Sequence, residues 1–380
     1  MAIVFWKPSE LDGLASTIHE IFEDILGQDQ QTRNLSISPF FKTEQKNKKI
    51  VFFTDISRHS HHVPNTLNTV KLIQEQFIKI LEPISAQSFF SLRHSSYLPF
   101  IKEIFPTAEH HLDCRYVSIS APPQALPQAS FSQSLPLGFG PRVSTTSYSS
   151  SISSIPQAKN IYLPEALVEA DIIIPINPFE SSSLFAIHGT ISSLFYALPQ
   201  SCQSFVLVQS NLRSRSHMLL EHLQPLIHKI NFSALFDCVE EPYIAITNDF
   251  VSGDSYSSAL AGIRALQIPL NRLAHQRRWG IGDIVKITLI GPPFRKPLKY
   301  LTKQVSFDFK SQLVSRPEQC IQCDQCVLTC PFSAWEKTSK AGYVWNSPKC
   351  HYCGHCIDIC PSSAVQIISK GVAHGKNFSH

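Results

Sequence analysis

Two stretches of the 380-residue chain, Cys320-Ile-Gln-Cys323-Asp-Gln-Cys326-Val-Leu-Thr-Cys330-Pro331 and Cys350-His-Tyr-Cys353-Gly-His-Cys356-Ile-Asp-Ile-Cys360-Pro361, write one pattern twice. The pattern is C-x2-C-x2-C-x3-C-P, and each cysteine recurs thirty residues on, as do Ser333-Ala334 and Ser363-Ala364. A fixed offset over so many positions marks an internal duplication. Three thiolates at two-residue spacing wrap a loop around one iron–sulfur cubane, and a fourth before proline is directed to the neighbouring cluster. The spacing therefore assigns Cys320, Cys323, Cys326 and Cys360 to one [4Fe-4S] cluster and Cys350, Cys353, Cys356 and Cys330 to a second. Zinc also uses C-x-x-C pairs, but four ligands per site leave the third cysteine and the Cys-Pro unexplained.

The segment Cys320 to Pro361 resembles a bacterial-type ferredoxin module with two [4Fe-4S] clusters. That resemblance implies a small C-terminal α+β iron–sulfur domain, taken as residues 315–370, with a polar tail over 371–380. Paired clusters suit single-electron transfer, while a structural or sensing cluster is the alternative. Small free ferredoxins are commonly acidic. Here Arg316, Lys337, Lys340, Lys349 and Lys370 balance Glu318, Asp324, Glu336 and Asp358. A near-neutral surface suits a relay serving its own chain or one fixed redox partner protein.

Composition bounds the rest. At 43% hydrophobic residues the chain can bury a large core, and its length fits two domains or three. Only 16% of residues are charged, and 48 serines supply the missing polarity. The formal charge of +4 is too small to indicate nucleic-acid binding. With two oxidised clusters contributing about −2 each, it becomes roughly zero. No segment reaches the ~18 uninterrupted apolar residues of a transmembrane helix. The apolar start, Met1 to Trp6, is short for a signal peptide. Eleven cysteines without a secretory signal point to reduced thiols and metal, so a cytoplasmic location is expected. Cys114, Cys202 and Cys238 lack patterned partners and are expected to act as small buried hydrophobes.

Upstream, apolar runs alternate with helical periodicity. Strands are predicted at Ile3–Trp6, Ile50–Phe53, Phe89–Leu92, Tyr116–Ile119, Asp171–Ile176, Phe205–Val208, Tyr243–Thr247 and Ile284–Ile290. Helices are predicted from a Ser9 cap to Gly27, and at Asn65–Leu81, His188–Ala197, His217–Ile230 and Ser257–Leu266. This rhythm reads as an α/β fold, a mostly parallel sheet with covering helices, over residues 1–293. A Ser/Pro-rich excursion interrupts it at about 120–157 and a basic linker follows at 294–314. The strip Arg295, Lys296, Lys299, Lys303 and Lys310 reads as solvated linker, with anion binding or partner docking as the alternative.

Residues 170–199, with Ala170-Asp171-Ile172-Ile173-Ile174 and Leu198-Pro199, resemble the signature region of domain-of-unknown-function family 362 (DUF362), whose members often carry a ferredoxin module. Asp254-Ser255-Tyr256 through Gly262, Ile268-Pro269, Gly280-Ile281-Gly282 and Ile287 to Gly291 resemble the end of that family's domain. The family's cationic positions are replaced here by Pro178-Phe179-Glu180-Ser181-Ser182, Ser192-Ser193 and Phe53-Thr54-Asp55. The expectation is a scaffold with a degenerate site. A reductase, and hence an oxidoreductase activity, with substrate at the strand ends near Asp171 to His188 is the alternative, since ligands of α/β sheets sit there. His188 reads as a core histidine on a helix facing Ser182, or as a replacement for a lost family histidine. Ser57-Arg58-His59-Ser60-His61-His62 and His110-His111 read as solvated loops. No phosphate-binding glycine motif occurs.

Overall fold

The computed structural model describes residues 2–8, 13–34, 45–56, 63–92, 97–110, 114–120, 160–182, 184–209, 212–237, 243–292, 311–338, 342–350 and 353–369. The Ser9 cap, most of the Ser/Pro-rich excursion, the His59 to His62 loop, the basic strip and the tail lie outside them.

The chain begins Ile3–Pro8 (β1), Leu14–Asn34 (α1), Lys49–Ile56 (β2), Val63–Leu81 (α2), Ser85–Leu92 (β3), Leu98–Ile104 (α3) and Glu109–His110 (β4). Next come Tyr116–Ser120 (β5), Asn160–Pro164 (β6), Glu165–Glu169 (α4), Ile172–Pro178 (β7), Glu180–Ser182 (β8) and Ala186–His188 (β9). Thr190–Ser193 (α5), Gln200–Leu207 (α6), Leu212–Ile227 (α7), Ser233–Asp237 (β10), Tyr243–Thr247 (β11), Phe250–Leu260 (α8), Pro269–Gln276 (α9) and Thr288–Ile290 (β12) complete the large part.

Eight strands form one sheet in the order β12-β1-β11-β10-β7-β2-β3-β4. Every pairing is parallel except those of β11 with β1 and β10, so β11 alone runs against the rest. The mostly parallel α/β sheet read from the sequence is what the chain builds. The continuous apolar runs follow from burial on both faces. Ile50 and Phe52 pack under α1 and α2 with Ile18, Phe22, Leu67 and Phe77, while Val51 and Phe53 face α7 and α8 with Leu219, Leu223 and Val251. Each such side chain contributes about 1.5–3 kcal/mol by leaving water.

Several expected elements differ. Phe205–Val208 is not a strand but the end of α6. Pro199, in extended conformation, caps that helix, and Cys202, Val206 and Leu207 bury one face at helical spacing. The helix expected over 188–197 is instead the end of the β8–β9 hairpin, one turn of α5 and a 3-10 turn at Leu194–Ala197. Helix α8 starts at Phe250, well before Ser257, because Asp249 accepts the Ser252 N–H at 3.0 Å and ends the preceding strand. Only Thr288–Ile290 of the expected strand over 284–290 is extended; Ile284–Lys286 is a 3-10 turn capped by Asp283. Strand β5 forms as expected but pairs with β6, outside the large sheet. Strand β10, with only three apolar residues, had no alternation to reveal it.

The order of crossing positions the site. From β2 the chain moves outward through β3 to β4, and from β7 it moves the other way to β10 and β11. The β2/β7 pair is therefore the switch point, where a crevice opens at the carboxyl ends of parallel strands.

Candidate metal centre

The small C-terminal domain is built from two matching halves. Ser311–Ser315 (β13) pairs antiparallel with Val365–Ser369 (β16), and Trp335–Thr338 (β14) pairs with Gly342–Trp345 (β15). Gln325–Leu328 (α10) and His355–Asp358 (α11) are single turns thirty residues apart. Each is entered through a left-handed residue, Asp324 at φ 60° and Gly354 at φ 83°. Ser333 and Ser363 repeat the left-handed geometry at φ 49° and 53°. Aspartate tolerates that conformation and glycine adopts it without penalty. These turns fold the cysteine loops back on themselves, so the duplication in sequence is one in backbone shape.

Cys320, Cys323, Cys326 and Cys360 line one small cavity, together with Ile321, Tyr343 and Val365. Burial raises the Cys326 thiol to about 12, and the charges of Cys360, Cys323 and Cys320 add to the rise. In the other half, burial pushes Cys353 up to about 11, with Cys330 and Cys350 adding and Arg215 opposing. Cys356 rises well above the usual thiol range through burial and through Cys353, Cys350 and Cys330. The thiols thus influence one another in two sets of four, each with one member from the opposite half. Half-buried thiols that oppose one another's ionisation need cationic charge among them to persist as thiolates, and iron held there would supply it.

The surroundings fit the same group. Backbone N–H groups of Gln325 and His355 donate to Cys323 and Cys353, again thirty residues apart. Ala334 N–H lies 3.4 Å from Cys330 Sγ, and the Trp335 side chain donates to Cys356. The core is small, resting on Leu313, Trp335, Tyr343, Ile357, Ala364 and Val365 beside Cys360. Domains of this size usually need a metal or disulfide staple.

This domain packs on α6, α7 and the β8–β9 hairpin that cover the large sheet, mainly through its second half. Arg215 of α7 donates from Nη1 to the carbonyls of Cys353 at 2.7 Å and Leu184 at 3.2 Å. Asp358 of α11 accepts from Ser182 Oγ at 2.8 Å and from the Leu184 N–H at 3.2 Å. Gln200 reaches the Leu328 carbonyl at 2.8 Å. His355, between Cys353 and Cys356, stacks on Tyr196 with centroids 6.3 Å apart and meets Phe195 edge-on at 5.9 Å.

Beneath Tyr196 lie the carboxyl ends of β2 and β7. Asn177 Oδ1 accepts the Asp55 N–H at 2.8 Å across the switch point, and Asn177 Nδ2 donates to Ser193 Oγ at 2.9 Å. His188 Nε2 is 3.0 Å from Asp55 Oδ2, with both side chains buried. The His188 ring lies 5.9 Å from that of Tyr196. Asp254 of α8 accepts the N–H groups of Thr190 at 2.6 Å and Ile191 at 3.1 Å, which fixes the turn beside His188. Burial raises the Asp254 carboxyl to about 6, against those bonds and the neighbouring His188.

His188 is therefore a buried histidine, as expected, but it stands on β9 opposite Glu180 and not on a helix. His110 is buried on β4, which corrects its reading as a solvated loop. His111, His59, His61, His62 and Cys238 lie outside the described residues. Cys202 is buried, and half-buried Cys114 hydrogen-bonds Tyr116. Asp55 and Asp254 were visible in the sequence only as departures from, or parts of, a family frame. Arg215, Tyr196 and His355 carried no signal, because their meeting depends on how two parts of the chain pack. Among the described residues, no helix is long and apolar enough to cross a membrane.

No curated protein matches the chain. Among solved structures, the lactate racemase apoprotein from Thermoanaerobacterium thermosaccharolyticum aligns with a TM-score of 0.37 and 12% identity, over 68% of this chain and 57% of that one. The chain thus spans little more than half the length of that protein. Residues 312–361, which hold both cysteine loops, match the 4Fe-4S dicluster domain family.

Proposed function

We propose that the chain is an iron–sulfur electron-transfer protein. Cys320, Cys323, Cys326 and Cys360 hold one [4Fe-4S] cluster, and Cys350, Cys353, Cys356 and Cys330 hold the other. Such clusters, when bound, take up and release single electrons. The observation that carries this reading is the meeting of Cys320, Cys323 and Cys326 with Cys360, from the opposite half, around one cavity within a dicluster-type segment. The N–H donors to sulfur stabilise the reduced state, and Arg215 and Gln200 each hold one cysteine loop against the large domain. A redox partner protein, or the large domain itself, exchanges the electrons. A cytoplasmic setting suits the reduced thiols.

Anaerobic purification with iron and sulfide quantification tests the cofactor, and electron paramagnetic resonance after dithionite tests its role. About eight iron and eight sulfide per chain, with reversible reduction of both clusters, is the expected result. Clusters that cannot be reduced without loss indicate a structural role instead.

A second reading, a reductase with its substrate at the strand ends, is favoured by one observation. Ring contacts, stacked between His355 and Tyr196 and edge-on between Tyr196 and His188, lead to the switch point. A compound that co-purifies with the full chain and is reduced by it under a one-electron donor supports it. The resemblance of most of residues 1–293 to family 362, with its cationic positions replaced, belongs instead with a large domain that acts as a scaffold.

A further inference from the structure

Reduction adds negative charge to a small volume, and its cost depends on what surrounds that volume. On the side facing the sheet, the cysteine loop ends against Tyr196 and, one ring further, His188. His188 contacts Asp55 at 3.0 Å and is close enough to Asp254 to act on its charge. Two carboxyl groups and one imidazole thus lie together in a region from which water is excluded, with Asp55 and Asp254 both 0% exposed. Two carboxyl groups cannot both carry negative charge in so dry a place without cost, so the cluster is poised to bind a proton. Other titratable groups face it from the neighbouring elements, beginning with Glu180, the partner of His188 across the β8–β9 hairpin. Tyr256 lies on the same helix as Asp254, Tyr243 on β11 and Asp237 on β10, and Tyr243 feels Asp237, Tyr256 and Asp254 in turn. Tyr196 and His355 close the side toward the small domain.

We propose that His188, Asp55 and Asp254 form a buried proton-accepting site that takes up one proton from water when the adjoining Cys330, Cys350, Cys353 and Cys356 centre gains one electron from a one-electron donor. This rests on the electron-transfer reading above. The donor is oxidised by one electron and iron is reduced by it, while an O–H bond of solvent hydronium breaks and one N–H or O–H bond forms at the site, so that no bond within the chain is broken. The coupling is reciprocal: an electron nearby raises proton affinity, and a bound proton favours the reduced state. Tyr196 is a positioning residue that holds His188 against the seat of the small domain.

The test is a redox titration of the anaerobic full-length holoprotein, followed by electron paramagnetic resonance, at several pH values from about 5 to 8, bracketing the ordinary range of buried carboxyl and imidazole groups. The potential of one cluster is expected to fall as pH rises, while the other changes less. Asp254→Asn and, separately, His188→Gln should flatten that slope with iron content unchanged. His355→Phe should keep it, which separates the buried site from the imidazole beside the cysteines. Potentials independent of pH in the unmodified protein overturn the proposal and leave electron transfer intact. A slope lost in His355→Phe but kept in both other variants also overturns it. Clusters that are not reversibly reducible overturn both readings.

Discussion

Arg215 Nη1 lies 2.7 Å from the carbonyl oxygen of Cys353, so a guanidinium on the large domain holds a cysteine loop of the small one. The same nitrogen donates to Leu184 O, whose residue also gives its N–H to Asp358. Burial works against the charge of Arg215, and Cys353 and Asp358 offset that penalty. Arg215→Leu leaves two carbonyls without this donor and is expected to cost about 1.5–3 kcal/mol. Hydrogen exchange should quicken at Leu184–Phe185 and at Cys353–Cys356, with the iron still bound. Unchanged exchange at both places would show that Arg215 does not hold the junction.

The crossed thiol sets make opposite predictions for two equivalent cysteines. Cys360→Ala should disturb the centre of Cys320, Cys323 and Cys326, and Cys330→Ala that of Cys350, Cys353 and Cys356. Each variant is expected to lose up to about half of the iron, with different spectra remaining. Cys202→Ala, in the core of the large domain, should keep all of it. Identical residual spectra from the first two variants would rule the crossing out.

The parts legible in the sequence were those where one local rule sufficed. Ile50–Phe53 read as a strand because a segment buried on both faces must be apolar throughout. The cysteine loops read as a metal centre because ligand spacing is itself local. Phe205–Val208 misled because a short apolar run suits a buried helix end as well as a strand. The start of α8 was hidden because Ser252, Gly253 and Asp254 follow Phe250 and Val251 in its first turns, packed so closely on β10 and β11 that a Cβ on Gly253 would meet the Thr247 side chain at 2.8 Å. The site at the switch point was illegible for a different reason. Asp55, Asn177, His188 and Asp254 come from four elements, and only the sheet order brings them together.

Gly189 tests how tightly that region is closed. Its backbone is extended, at φ −134°, so any residue could adopt it, but a Cβ there would lie 2.6 Å from Asp254 Oδ1. Gly189→Ala must displace the carboxylate from the Thr190 and Ile191 N–H groups. A loss of about 1–3 kcal/mol is expected, as for other overpacked positions. Thermal unfolding measures it, and an unchanged midpoint would mean that Asp254 is free to shift.

Asp254 also predicts a pH dependence of stability. Its carboxyl is raised by burial from 3.8 to about 6, so the folded chain keeps a proton that the unfolded chain has released. The stability this group contributes is fully present below about pH 4 and is lost as the pH rises through about 6. For a shift of about two units the loss is on the order of 3 kcal/mol. Relative to Asp254→Asn, the unmodified protein should become less stable across that window. Parallel profiles for the two proteins would contradict the assignment.

The place of β1 between two late strands sets the order of events during synthesis. Ile3 N–H bonds the side chain of Asn248, 245 residues later, and β1 is flanked by β11 and β12. An early strand therefore waits on the ribosome for two late ones, and the large sheet closes only after Ile290 has emerged. Translation proceeds at about 5–20 residues per second, so the cysteine loops follow within seconds. Seat and cysteine loops thus become available in succession, so that the surface against which the loops pack precedes the loops themselves.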